Sequence, residues 1–133
     1  TDLLVNTIGA YDGYVPLDWL VGEETTRLGI KAAGDWTVEA YPVAREYVHI
    51  FGVPGSYNGN GDDIVFIGGG EPDVANISSE GDRNFVVWSY GDDRDLLVNE
   101  IGAYQGTVVV PKNTVVFVVK ATGEWTIEVT ARE

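Results

Sequence analysis

The sequence of 133 residues has no cysteine, no methionine, one histidine, and only eight lysines and arginines against 21 aspartates and glutamates. Without cysteine there is no disulfide framework, no thiolate nucleophile and no cysteine-type zinc site. A formal net charge of -13 argues against sequence-independent nucleic-acid binding, which needs clustered Lys and Arg against phosphates. Anionic membrane surfaces are disfavoured for the same reason. Such a charge favours solubility, repulsion between like molecules and cation binding. No apolar run approaches the roughly 18 residues of a membrane span, and no segment has the basic start and apolar centre of a secretory signal. No membrane insertion is expected. Thr1 in first position fits a processed or excised chain, and export is expected.

What the sequence does have is glycine, tryptophan and a repeat. Seventeen glycines and four tryptophans point to a turn-rich β protein. Asp2-Leu3-Leu4-Val5-Asn6-Thr7-Ile8-Gly9-Ala10-Tyr11-Asp12-Gly13 returns as Asp95-Leu96-Leu97-Val98-Asn99-Glu100-Ile101-Gly102-Ala103-Tyr104-Gln105-Gly106, with ten of twelve positions identical. The match resumes where Gly34-Asp35-Trp36-Thr37-Val38-Glu39 meets Gly123-Glu124-Trp125-Thr126-Ile127-Glu128. Between the two blocks the first copy carries four extra residues around Asp18 to Glu24. Internal repetition of this kind marks a duplicated structural unit.

Each copy reads as three or four short strands. Leu96 to Val98, Thr107 to Val110, Val115 to Ala121 and Trp125 to Thr130 are apolar segments rich in β-branched residues, separated by glycine turns and Pro111. In the last of them Trp125, Ile127 and Val129 alternate with Thr126, Glu128 and Thr130, the period of a half-buried strand. The fold expected is all-β, a β-sandwich or jelly-roll-like arrangement of about ten or more strands built from an imperfect internal duplication. Three regions follow: residues 1-40, an incomplete first repeat forming a half-sandwich; residues 41-57, a connector strand; and residues 58-133, a complete second repeat. The first repeat lacks the stretch that precedes the second, so its half-sheet has to find a cover.

The strings DLLVN-x-IGAY-x-G and G-[DE]-WT-[IV]-E, with a GNGDD turn and an NFVVW strand, resemble a recurrent all-β module of bacterial exported and cell-surface proteins, sometimes in tandem. The resemblance implies a β-sandwich and an extracellular or cell-surface location. It brings no established activity and no catalytic residues.

Comparison of the copies bears on assembly. Thr26-Arg27-Leu28-Gly29-Ile30-Lys31 lies opposite Val115-Val116-Phe117-Val118-Val119-Lys120. In the first copy Leu28 and Ile30 share a face while Arg27, Gly29 and Lys31 share the other. In the second copy both faces are apolar, and such a strand needs cover on both sides. Burying a valine is worth about 1.5 kcal/mol, so Val116 and Val118 are expected under cover from the same chain or from a neighbouring subunit. The candidate interface comprises Val116, Val118, Leu3, Val5, Tyr47 and Phe51, with strand addition at a sheet edge as its mode.

Candidate chemistry is sparse. His49 is the only histidine, no G-x-S-x-G elbow presents a serine, and a strand histidine satisfied by its surroundings is the expectation. Asp62, Asp63, Asp92, Asp93 and Asp95 lie in two acidic turns that a sandwich can bring to one end, where their carboxylates would suit calcium. Trp19, in the insertion, is the tryptophan least explained by strand alternation and, with Tyr14 and Tyr57 as companions, the candidate for sugar binding. The sequence therefore points to a non-enzymatic extracellular structural or interaction module, self-assembling into oligomers or fibres by strand complementation of the first repeat, its partner itself or another surface protein. The alternative is a calcium-assisted carbohydrate-binding module with polysaccharide as its ligand.

Overall fold

The computed structural model describes residues 3–19 and 22–133. Among them nine strands form two packed sheets: β1 (His49–Gly52), β2 (Gly55–Asn60), β3 (Asp63–Gly69), β4 (Pro72–Ser79), β5 (Asn84–Tyr90), β6 (Arg94–Ile101), β7 (Tyr104–Val109), β8 (Val116–Lys120) and β9 (Glu124–Ala131). The larger sheet runs in the order β1-β3-β8-β5-β6 and the smaller β2-β9-β4-β7. This is a β-sandwich with the topology of a jelly roll. Strands β2 to β5 form a front half that turns back at Gly91-Asp92-Asp93 into a back half, β6 to β9. Each front strand pairs antiparallel with one back strand: β2 with β9, β3 with β8, β4 with β7 and β5 with β6. Rolling that long ribbon adds the lateral pairs β4 with β9 and β5 with β8, and β1 joins the edge of β3 in parallel.

The core lies between the sheets. Val65, Phe85, Val87, Val98, Phe117 and Val119 come from the larger sheet, and Ala75, Ile77, Trp125, Ile127 and Val129 from the smaller. The alternation read along β9 is the alternation observed, with Trp125, Ile127 and Val129 buried. Trp125 is seated by a glycine: a Cβ on Gly59, its partner across the ladder, would overlap the indole ring. The indole Nε1 donates to the Gly61 carbonyl at 2.9 Å, which satisfies the one polar atom that burial of the ring would strand.

One expectation needs correction, that of a half-sheet in the first repeat. The connector supplies strand to the sandwich, since β1 and half of β2 fall within residues 41–57, and the strands start at His49, inside that stretch. Nine strands stand among the described residues, against about ten or more expected. The first repeat does not form a half-sheet, since the described residues before His49 carry no strand. Trp36 is 56 % exposed whereas its repeat twin Trp125 is 2 % exposed. The reason is in the pairing scheme. No back-half strand takes a ladder hydrogen bond from another back-half strand, so a back-half sequence without a front half has nothing to pair with, and short strands need such partners to persist.

The outer face of the larger sheet carries cross-strand rows of Ile64, Val118, Trp88 and Leu96, and of Phe66, Val116 and Tyr90. Trp19 from the N-terminal segment sits edge-on to Phe66 at 6.2 Å and to Tyr90 at 5.9 Å. Those two rings flank Val116, which is buried, while Val118 is half-buried.

The two repeat-related tryptophans are expected to differ sharply in denaturant unfolding. Trp125→Ala should cost about 3–5 kcal/mol, the range for a buried tryptophan, and Trp36→Ala less than about 0.5 kcal/mol. Equal losses would contradict the asymmetry between the copies.

Candidate functional site

The Asn60-Gly61-Asp62-Asp63 turn joins β2 to β3, and Gly61 there has φ 74°, a left-handed conformation that favours glycine. The turn delivers two adjacent carboxylates into the rim of the sandwich, both almost fully buried. Parallel pairing of β1 with β3 brings His49 alongside, and its Nδ1 lies 2.9 Å from Asp63 Oδ1. Asp63 also accepts the backbone N–H of Ile64 at 2.8 Å and the hydroxyl of Tyr57 at 3.2 Å. Asp62 accepts the Tyr11 hydroxyl on Oδ2 at 2.8 Å and the Ala121 N–H on Oδ1 at 3.0 Å. Its carbonyl accepts the Tyr14 N–H at 3.0 Å. Buried carboxylates need such donors, because an unpartnered one would be costly to desolvate.

Aromatic rings continue the cluster. Tyr14 meets His49 edge-on at 5.0 Å, His49 lies 5.7 Å from Tyr57, and Tyr57 lies 5.7 Å from Trp125. Together with Asn58, Gly59, Asn60, Asp63, Glu124 and Thr126 they line an open cavity of about 640 Å³. Burial, then the hydrogen bond and charge of Asp62, pushes the Tyr11 hydroxyl above the ordinary phenol range. Burial followed by the charge and hydrogen bond of Asp63 does the same to Tyr57. With Nδ1 taken by Asp63, Nε2 is the imidazole nitrogen left for a ligand. Among the described residues no serine lines the cavity. The arrangement offers hydroxyl, amide, imidazole and ring faces, a set suited to holding a polar ligand.

The residues singled out from sequence scatter. Tyr14 and Tyr57 converge on the cavity, but Trp19 packs on the outer face of the larger sheet. The five aspartates do not converge. Asp63 is level with Val119 and Val87, whereas Asp92 and Asp93 follow Tyr90, which is level with Val116 and Phe66 at the other end of the sheet. Asp92 accepts the Asn113 side-chain amide at 2.5 Å, and Asp95 is the second residue of the exposed edge strand β6. Among the described residues no group of three or more His, Asp or Glu can hold a metal, so the expected calcium site is not assembled. Of the candidate interface, Leu3, Val5 and Tyr47 are exposed, with Tyr47 stacked on Tyr41 at 5.1 Å. Val116 lies between Phe66 and Tyr90, the two rings that Trp19 meets, so part of its cover comes from the same chain, while Val118 is half-buried. Phe51 is half-buried: it packs against the core and lies 6.4 Å from Phe117.

Sequence reasoning missed Tyr11 and the His49–Asp63 pair. The GNGDD string was visible as a turn, but nothing local shows that β1 will lie beside it. Comparison with family models, curated proteins and solved structures finds no match for the chain.

A phenol that ionises less readily in the folded state leaves stability intact below its ordinary value of about 10 and removes it as pH rises beyond that value. Of the seven tyrosines, Tyr11 and Tyr57 are therefore expected to titrate late, together with Tyr41, raised by its hydrogen bond to Glu39, and the protein to weaken in that alkaline range. Phenolate absorbance checks this, with Tyr11→Phe and Tyr57→Phe each reducing the late fraction; an unchanged curve in both variants would refute it.

Proposed function

We propose that the chain is a non-enzymatic extracellular structural or interaction module, and that residues 3–39 are the part through which it is joined to other chains. One observation carries this reading. Val5, Leu28, Ile30, Trp36 and Val38 are exposed, while their repeat twins Val98, Phe117, Val119, Trp125 and Ile127 are buried. A side-chain pattern made for a core stands in water, and exposed apolar residues gathered in one segment mark an interaction site. The extracellular location rests on the resemblance of the repeat strings to modules of exported bacterial proteins. Self-assembly into oligomers or fibres is the form in which the partner is a second copy. Light scattering over a range of concentration tests that form: a mass rising above one chain would support it, and a constant single-chain mass removes it. Hydrogen exchange tests the wider reading. Residues 22–39 should exchange fast in the lone dilute chain, and protection there would remove it.

The cavity supports a second reading, a binding module for a polar ligand such as a polysaccharide, through Tyr14, His49 and Tyr57. Retention on immobilised polysaccharides should fall at least about tenfold in Tyr57→Ala, as expected when a stacking or hydrogen-bonding aromatic anchor is lost. Absence of retention by the unaltered chain would eliminate this reading. Calcium followed by chelator should leave the thermal midpoint unmoved, because a ligand stabilises only a fold that holds a site for it; an upward shift reversed by chelation would restore the calcium-assisted form.

A further inference from the structure

We infer that the partner of residues 3–39 is the front half of a second jelly roll, a segment with the pattern of residues 55–90 that lies outside these 133 residues and has no back half of its own. The inference rests on the interaction-module reading and names its partner.

The pairing scheme specifies what the first repeat can bond. Its twin strands β6, β7, β8 and β9 take all their ladder partners from β2, β3, β4 and β5. By the repeat correspondence, Val5 stands where Val98 pairs with Val87, and Tyr11 where Tyr104 pairs with Ser79. Leu28 stands where Phe117 pairs with Val65, and Trp36 where Trp125 pairs with Gly59. Such a partner would therefore need a glycine opposite Trp36, for the same reason that Gly59 is bare beneath Trp125.

Two further observations favour a complete second sandwich over a mere sticky arm. Gly9 has φ 91° and its twin Gly102, between β6 and β7, has φ 89°. The first repeat thus already holds the left-handed turn that its twin uses. On the strand matching β8, the first copy has Arg27, Gly29 and Lys31 where the second has Val116, Val118 and Lys120. Its outward positions suit a sheet face open to water, while Leu28 and Ile30 supply the inward pair.

A second copy of this chain fits poorly by count. These 133 residues hold two back-half sequences and one front half, and that front half is already paired with β6 to β9. Exchange between copies of these 133 residues leaves one back half over in each, so it gains no strand pairs. A front half from elsewhere gains a full set.

The test uses the full chain. In one arm residues 55–93 are added directly before Thr1, which stands where Arg94 stands after β5 in the complete unit. In the other the unaltered chain is refolded with excess polypeptide of residues 49–93. Hydrogen exchange over residues 22–39 should slow by at least about a hundredfold, and tryptophan emission should move to the blue as the Trp36 indole leaves water. Valine in place of the glycine corresponding to Gly59 in the added segment should abolish both effects. If residues 22–39 exchange as fast as before in both arms while residues 49–131 stay protected, the inference is overturned and the wider interaction reading survives. Protection of residues 22–39 in the unaltered chain alone, in step with a concentration-dependent rise in mass, would also overturn it, with a second copy as the occupant.

Discussion

Strands β6, β7, β8 and β9 take their ladder hydrogen bonds from front-half strands and from nothing else. That division arises because the chain is a long antiparallel ribbon, folded at Gly91-Asp92-Asp93 and then rolled, so that sequence neighbours within one half end up on different sheets or separated by a strand of the other half. The back half has no local fold of its own, because no two of its four strands lie side by side. Everything else in the molecule follows from this dependence. With its front half present, a back-half sequence becomes β6 to β9 and buries Trp125, Phe117 and Ile127. Without one, nearly the same sequence stays open, and Trp36, Leu28 and Val38 face water.

The limits of reading this molecule from its residues follow from the same division. Period-two alternation made β9 legible, since the side-chain period of a strand is set by its backbone, and the glycine turns made the all-β class legible. The state of the first repeat was not legible, because ten of twelve residues shared with the region of β6 and β7 encode a propensity to pair but not the presence of a partner. Local sequence decides what a strand would bury; tertiary context decides whether it forms. The cavity was hidden for a related reason. His49 and Asp63 meet through a parallel pairing between strands separated by β2, and no spacing rule announces a contact of that kind.

The outer face of the larger sheet shows how the chain deals with a strand apolar on both sides. Val116 is covered where Trp19 rests on Phe66 and Tyr90, and Arg94 lies over the Trp88 ring at 4.5 Å further along the same face. Trp19 belongs to the four-residue insertion that the second copy lacks, so the cover is not a borrowed piece of the duplicated pattern. It is an addition that ties the N-terminal segment to the sandwich at a point outside its strand-forming blocks. The block that follows, with Leu28, Ile30 and Trp36, can take a partner without uncovering Val116.

The block that precedes the insertion is held more closely, and this links the two proposed activities of the molecule. The Tyr11 hydroxyl is bound to Asp62 at 2.8 Å. Beyond Gly13 the same contact is continued by the Tyr14 N–H on the Asp62 carbonyl and by the Tyr14 ring on His49. In the second copy the twin of Tyr11 does something different: Tyr104 packs on Phe85 at 5.9 Å inside the sandwich. The same tyrosine therefore has two incompatible places, one on the rim of the existing sandwich and one inside a completed second one. Drawing residues 3–14 into strands would lift Tyr11 from Asp62 and Tyr14 from the cavity wall, leaving one carboxylate oxygen of Asp62 in need of another donor. A polar ligand seated against Tyr14 and a front half paired with the first repeat would thus compete for one short segment. Linkage makes that competition reciprocal: whichever binds first weakens the other by the same factor.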